Sequence, residues 1–139
     1  MVRFEPEQEP EPAERSEFDR LQQHGVELFN RGEYLEAHEA FERIWVSSHD
    51  RETDFFKGLI QSAICLHHFQ KGNPEGARKL YSGHRKLLAG FLPSHRGLDV
   101  EKFLQSMQAV LRPVLRFRGG SPPVLGENGL PQLEQVSGD

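Results

Sequence analysis

Between Phe18 and Leu111 apolar residues recur every three or four positions, in five blocks separated by Gly, Pro and short polar runs. That spacing predicts helices. Phe18, Leu21, Gly25, Leu28 and Phe29 form the stripe of a first helix, which Ser16 caps and Gly32 ends. Tyr34, Ala37, Phe41, Ile44 and Trp45 form the stripe of a second. The third, residues 53–71, is apolar almost all round, from Phe55 and Phe56 through Leu59, Ile60, Ala63, Ile64 and Leu66 to Phe69. Such a helix is buried on most sides, which makes it the central one. Asn73, Pro74 and Glu75 give a fourth helix its cap, its first-turn proline and an acid. A fifth opens at Leu98-Asp99, carries Val100, Phe103, Leu104, Met107, Val110 and Leu111, and closes at Pro113. The expected fold is all-α, a small bundle of about five helices built from two helical hairpins.

The flanks break the pattern. Residues 1–15 alternate acid with proline and are expected as a disordered arm. The helical domain is placed at 16–115, and 116–139 reads as a flexible Gly/Pro-rich tail.

A phrase repeats at a spacing of 40 residues. Phe29, Gly32, Ala37 and Phe41 return as Phe69, Gly72, Ala77 and Tyr81. Each copy ends a helix at the glycine and packs the next one back through the small alanine, so two hairpins lie side by side. The phrase resembles the turn and second helix of tetratricopeptide repeats. With no third copy, a closed bundle is expected rather than a solenoid.

Composition narrows the function classes. The net charge is −4, which argues against a broad phosphate-binding face and hence against nucleic acid. Cys65 is the single cysteine, so no internal disulfide forms and a cytoplasmic setting is expected. No run reaches the ~18–20 apolar residues of a membrane-spanning helix. A small molecule or a protein is the expected partner, for a monomer or a homodimer.

The polar residues among the stripes hold the candidate chemistry. His38, Glu42 and Trp45 stand at i, i+4 and i+7 on the second helix, with Glu39 at the border of their face. Gln61, Cys65 and His68 share a face of the third by the same spacing. Buried polar groups need partners, and those of helix two are the expected partners for Gln61 and His68. Two readings follow. In one, His38, Glu42 and His68 ligate a divalent metal such as Zn, Mn, Fe or Ni, Glu39 is the general base and Gln61 orients water. In the other, the same groups form a structural hydrogen-bond network inside a non-catalytic protein-interaction module, with Trp45 contributing its indole N–H. His84, on the apolar stripe of helix four, is a candidate fourth member. Cys65 reads as core, and His24, His49 and His95 as surface.

Taken together, G-E-Y-x-E-A-H-E-x-x-E-x-x-W, G-L-I-Q and H-x-x-x-G-N-x-x-G-A resemble the DUF309 family of small bacterial and archaeal helical proteins. The residues that carry the likeness include Gly32, Tyr34, His38, Glu39, Glu42, Trp45, Gln61, His68, Asn73 and Gly76. The alignment selects His68 rather than His67 and adds Asn73 to the site lining. The resemblance implies an all-helical bundle and a metal-dependent hydrolase.

Overall fold

The computed structural model describes the backbone of residues 12–136 and the side chains of 17–136. Residues 1–11 of the arm expected at 1–15 lie outside the described residues; residues 12–15 are helical, so the first helix opens at Pro12 and Ser16 lies inside it rather than at its cap. Five α-helices follow in order: α1 Pro12–Asn30, α2 Tyr34–Trp45, α3 Arg51–Gln70, α4 Pro74–Leu88 and α5 Val100–Arg116. The fold is an all-α bundle, as the stripes predict.

Both copies of the repeated phrase end their helices in the same way. Gly32 and Gly72 adopt left-handed φ of 84° and 72°. Glu33 N–H donates to Leu28 O and, in the second copy, Asn73 N–H donates to His68 O, each at 2.9 Å. This pattern satisfies carbonyls that the last helical turn leaves open. Ala37 and Ala77 are fully buried, which lets each second helix lie close. In the second copy Asn73 Oδ1 also accepts from Gly76 N–H at 3.0 Å, with Pro74 in the first turn.

Helix α3 lies between α2 and α4, with α1 against α2 and α5 against α4. Phe55, Leu59, Ala63 and Leu66 of α3 are fully buried. The core closes where α1 meets α5, with the rings of Phe29 and Phe103 edge to face at 5.5 Å. At Gly58 a Cβ would come within 2.7 Å of Leu88, so the glycine is what lets α4 approach α3.

Three further features differ from expectation. Helix α5 passes through Pro113 to Arg116, because a proline near a C-terminus costs only one of the ladder's last bonds. A short hairpin, β1 Ser94–His95 paired with β2 Leu98–Asp99, precedes α5. Its turn residues Arg96 and Gly97 both have positive φ, 50° and 80°, as a two-residue hairpin turn requires. The segment after α5 runs extended and is tied to the bundle. Asn30 Nδ2 donates to Leu133 O at 3.0 Å, Leu133 N–H donates to Asn30 Oδ1 at 2.7 Å, and Leu133 is buried. Asp99 N–H donates to Glu134 O and Val136 N–H to Gly97 O, so residues 134–136 lie antiparallel along the edge of the hairpin.

Candidate functional site

The side of α3 turned away from the core carries Lys57, Ile60, Gln61, Ile64, His67, His68 and Lys71. Lys57 and Lys71 are exposed and the five between are half-buried. Because α3 has a neighbour on each flank, this stripe divides. Gln61 and His68 lean to α4. A Cβ on Gly83 would meet Gln61 Oε1 at 2.2 Å, and one on Gly76 would meet His68 Cγ at 2.9 Å. His68 Nδ1 also pairs with Asn73 Nδ2 at 3.2 Å. Two glycines, seven residues apart on α4, are therefore notches for two polar side chains of α3.

His38 and Trp45 border the other flank. His38 Nε2 bonds Glu42 Oε2 at 2.8 Å, with the His38 side chain 22% exposed and that of Glu42 half-exposed. His67 lies within electrostatic reach of His38 and Glu36. Partial burial lowers the pKa of His67, helped by the positive charge of Lys71 and by His68. Outside this pair, Glu39, Glu42, Arg43 and Val46 line an open depression of about 280 Å³. So the residues singled out by sequence fall in two groups. His38, Glu39, Glu42 and Trp45 stand on the α2 side, and Gln61, His68 and Asn73 on the α4 side.

Three polar atoms of these residues have no partner and are sealed from solvent: His38 Nδ1, Trp45 Nε1 and Gln61 Oε1. Each unpaired group costs about 1–3 kcal/mol. The network is thus not closed in the isolated chain.

The donor set does not fit a metal. His38 and Glu42 are bonded to each other, His68 is engaged across the ridge of α3, and among the described residues no three His, Cys, Asp or Glu side chains are placed to hold an ion.

Two further polar clusters differ from the sequence reading, and His84, expected as a fourth member of the site, is instead paired with Ser62 in the core. Ser62 and His84 are both fully buried. Ser62 Oγ donates to Gly58 O at 2.8 Å and lies 2.9 Å from His84 Nδ1. With the hydroxyl proton committed to Gly58, the ring nitrogen is the donor, and burial lowers the His84 pKa to about 3. A serine beside a histidine suggests a nucleophile and its base. Here neither reaches solvent and the serine proton points at backbone, so the pair is structural. Cys65 is equally inert: its Sγ donates to Ala77 O at 3.1 Å and burial raises its pKa to about 12. The second cluster overturns the surface assignment of His95. Its ring packs against Phe55 and Phe91 at 4.6 and 4.7 Å, and Nε2 bonds Glu52. Arg96 reaches Glu52, Asp19 and Gln22. Together they fasten the hairpin to α1 and α3.

Residues 22–80, from within α1 to within α4, match the model of a family described as a domain of unknown function, DUF309. The matched segment is a DUF309 domain. It contains every residue of the divided site. An uncharacterized protein of Aquifex aeolicus (strain VF5) is 30% identical over 102 residues, 72% of this chain and 29% of that protein. The uncharacterized protein YpuF of Bacillus subtilis (strain 168) is 31% identical over 91 residues, 61% of this chain and 51% of YpuF. The chain therefore spans about half or less of each of these relatives. Within the DUF309 segment, His38, Glu42, Trp45, Gln61 and His68 are the polar residues set into the outward side of the α2–α3–α4 layer.

Proposed function

We propose that this DUF309 domain is a non-catalytic binding module that takes up a polypeptide on the outward side of α2, α3 and α4. The observation that carries the reading is the state of that surface. Ile60 and Ile64 stay half-buried on the central helix, Trp45 and Leu80 flank them, and the neighbouring His38, Trp45 and Gln61 each keep one polar atom without a partner. Apolar surface left open beside unsatisfied polar groups is what a docking partner removes: burial of the first is worth ~25 cal/mol per Å². A small side-chain shift on docking would let the second find bonds.

A metal-dependent hydrolase would need a third donor beside His38 and Glu42, and the positions of His68 and His67 do not supply one. Two measurements test the proposal. A photo-crosslinking amino acid placed at Ile64 should form polypeptide adducts in cells, while the same group at the exposed Gln108 of α5 should not. Absence of adducts at Ile64 would refute the reading. So would stoichiometric Zn²⁺ or Mn²⁺ retained by the wild type and lost in His38→Ala.

A further inference from the structure

Residues 130–136 occupy a groove walled by α1, α5 and the hairpin. Their side chains alternate: Pro131 and Leu133 are buried, Gln132 and Glu134 exposed. Leu130 covers Gly32, where a Cβ would lie 3.0 Å from Leu130 Cδ1. The main chain of the segment is bonded from two sides. On one, the Asn30 side-chain amide bonds both the carbonyl and the N–H of Leu133, at 3.0 and 2.7 Å. On the other, the hairpin edge donates to Glu134 O and accepts from Val136 N–H. Two side chains add selectivity. Leu133 is only 3% exposed, and the Glu134 carboxylate pairs with Lys102 of α5. Addition of an extended chain to a sheet edge, with a pocket for one side chain, is a recurrent mode of peptide recognition.

The walls of the groove are held by bonds that do not involve its occupant. His95 and Arg96 tie the hairpin to Glu52, Asp19 and Gln22, and Glu101 N–H donates to Pro93 O. Asp99 Oδ1 caps α5 by accepting from Lys102 N–H at 2.9 Å. The connection to the occupant is slack. Leu125 packs on the core, but among the described residues 119–129 form no hydrogen bond with a helix. Helix α5, at 17 residues, is about 25 Å long, while the chain from Phe117 to Leu133 could stretch to about 55 Å. A flexible tether of this kind presents its end at an effective concentration on the order of millimolar. Weak contacts then suffice to fill the groove, and emptying it breaks no helical bond.

We infer that this groove is a second polypeptide-binding site, for an extended segment in which a leucine is followed by an acid, and that residues 130–136 are its built-in competitor. The partner is a different polypeptide carrying that pair. Main-chain bonds tolerate many sequences, so the leucine pocket and Lys102 do the selecting. The slack tether disfavours exchange of tails between copies, because each chain fills its own groove first. The site shares no residue with the outward face of α2, α3 and α4, and stands or falls apart from it.

Fluorescence polarisation with a labelled peptide of residues 130–136 and the full chain tests it. The wild type should bind the peptide weakly, because its own segment competes. Leu133→Asp in the full chain disables the competitor and should bind about tenfold or more tightly, with unchanged circular dichroism. Alanine in place of Gln132, Gln135 and Val136 of the peptide should change its affinity by less than about threefold, since those positions offer mainly backbone. Lys102→Glu added to the Leu133→Asp chain should weaken binding about threefold or more, and a peptide with Glu134→Lys should restore it. A Leu133→Asp chain that unfolds makes the segment part of the core and overturns the inference. A folded one that binds no better than the wild type also overturns it, as does a charge reversal without effect or a need for Gln132, Gln135 or Val136. A wild type that sediments as a dimer, and becomes a monomer on Leu133→Asp, gives the groove to the tail of a second copy and overturns the choice of a different polypeptide.

Discussion

His84 should make the stability of the bundle fall on acidification. Its ring is fully buried, with Ser62 Oγ at Nδ1, the Tyr81 ring at 5.3 Å, the Phe103 ring at 6.1 Å and the positive charge of Arg85 nearby. No carboxylate faces it to offset protonation. Burial is the main cause of the lowered pKa, about 3 against an ordinary 6.5, and Arg85 adds to it. In the unfolded chain the imidazole takes a proton near 6.5, whereas in the fold it does not. The unfolded state therefore binds more protons across this interval, and stability rises with pH through it. The contribution is complete above about pH 7 and is lost progressively as pH falls from 6.5 toward 3.

The size follows from the two values. Lowering the pH to about 5 puts the unfolded imidazole about 1.5 units below its pKa while the folded one stays neutral, which costs about 2 kcal/mol at 1.36 kcal/mol per unit. A folded pKa one unit higher leaves that figure almost unchanged, because at pH 5 the folded ring is still neutral. Urea denaturation of the wild type and of His84→Asn at about pH 7.5 and 5 is the assay, with the midpoint and slope converted to free energy. Asparagine keeps a donor toward Ser62 and has no proton to gain. It should lower stability at the higher pH yet lose about 2 kcal/mol less between the two. Equal losses in the two proteins would refute the reasoning.

Other expectations are simpler. Asn73→Ala removes both the helix cap at Gly76 and the partner of His68; it should cost about 0.5–2 kcal/mol, read as a lower melting temperature, and an unchanged one would count against the cap. Asn30→Ala breaks both bonds to Leu133 and should increase proteolysis and amide exchange of residues 130–136 before the helices are affected. Arg78→Ala deletes the donors to Val114 O and Phe117 O; fraying of the end of α5 by amide exchange is expected, with α2 and α3 unaltered.

The helices were legible because each carries its own periodicity and its own end signals. Gly32 and Gly72 stop two of them by backbone geometry that glycine adopts at little cost, and Asn73-Pro74 starts another. What escaped depends on distant partners. Residues 94–99 are too short to show alternation, and Leu133 lies in a Gly/Pro-rich run, yet its partner Asn30 is 103 positions away. The division of the site escaped for a different reason. Spacing tells which residues of α3 share a face, but not which neighbouring helix that face meets. Gln61 and His68 are on one face, as their spacing predicts, and it meets α4. A signal was present in Gly76 and Gly83, one side of α4 stripped of side chains where α3 inserts two of its own.

The repeat also changes what His38 means. Its counterpart in the second copy is Arg78, which faces the next helix along the chain, α5, and donates to carbonyls at its C-terminal end. His38 likewise stands beside the later turns of the next helix, α3, near His67. A positive or donating group is favoured near the C-terminal end of a helix, so a polar residue at this repeat position follows from the architecture in both copies. The departures lie one and two turns further on. Glu42 replaces Ser82 and engages His38 Nε2, and Trp45 replaces Arg85 and leaves an indole N–H unpaired. The residues that the scaffold does not itself require are thus Glu42 and Trp45, with Glu39 beside them. All three belong to the α2 edge of the outward face, the surface to which the proposed binding role is assigned.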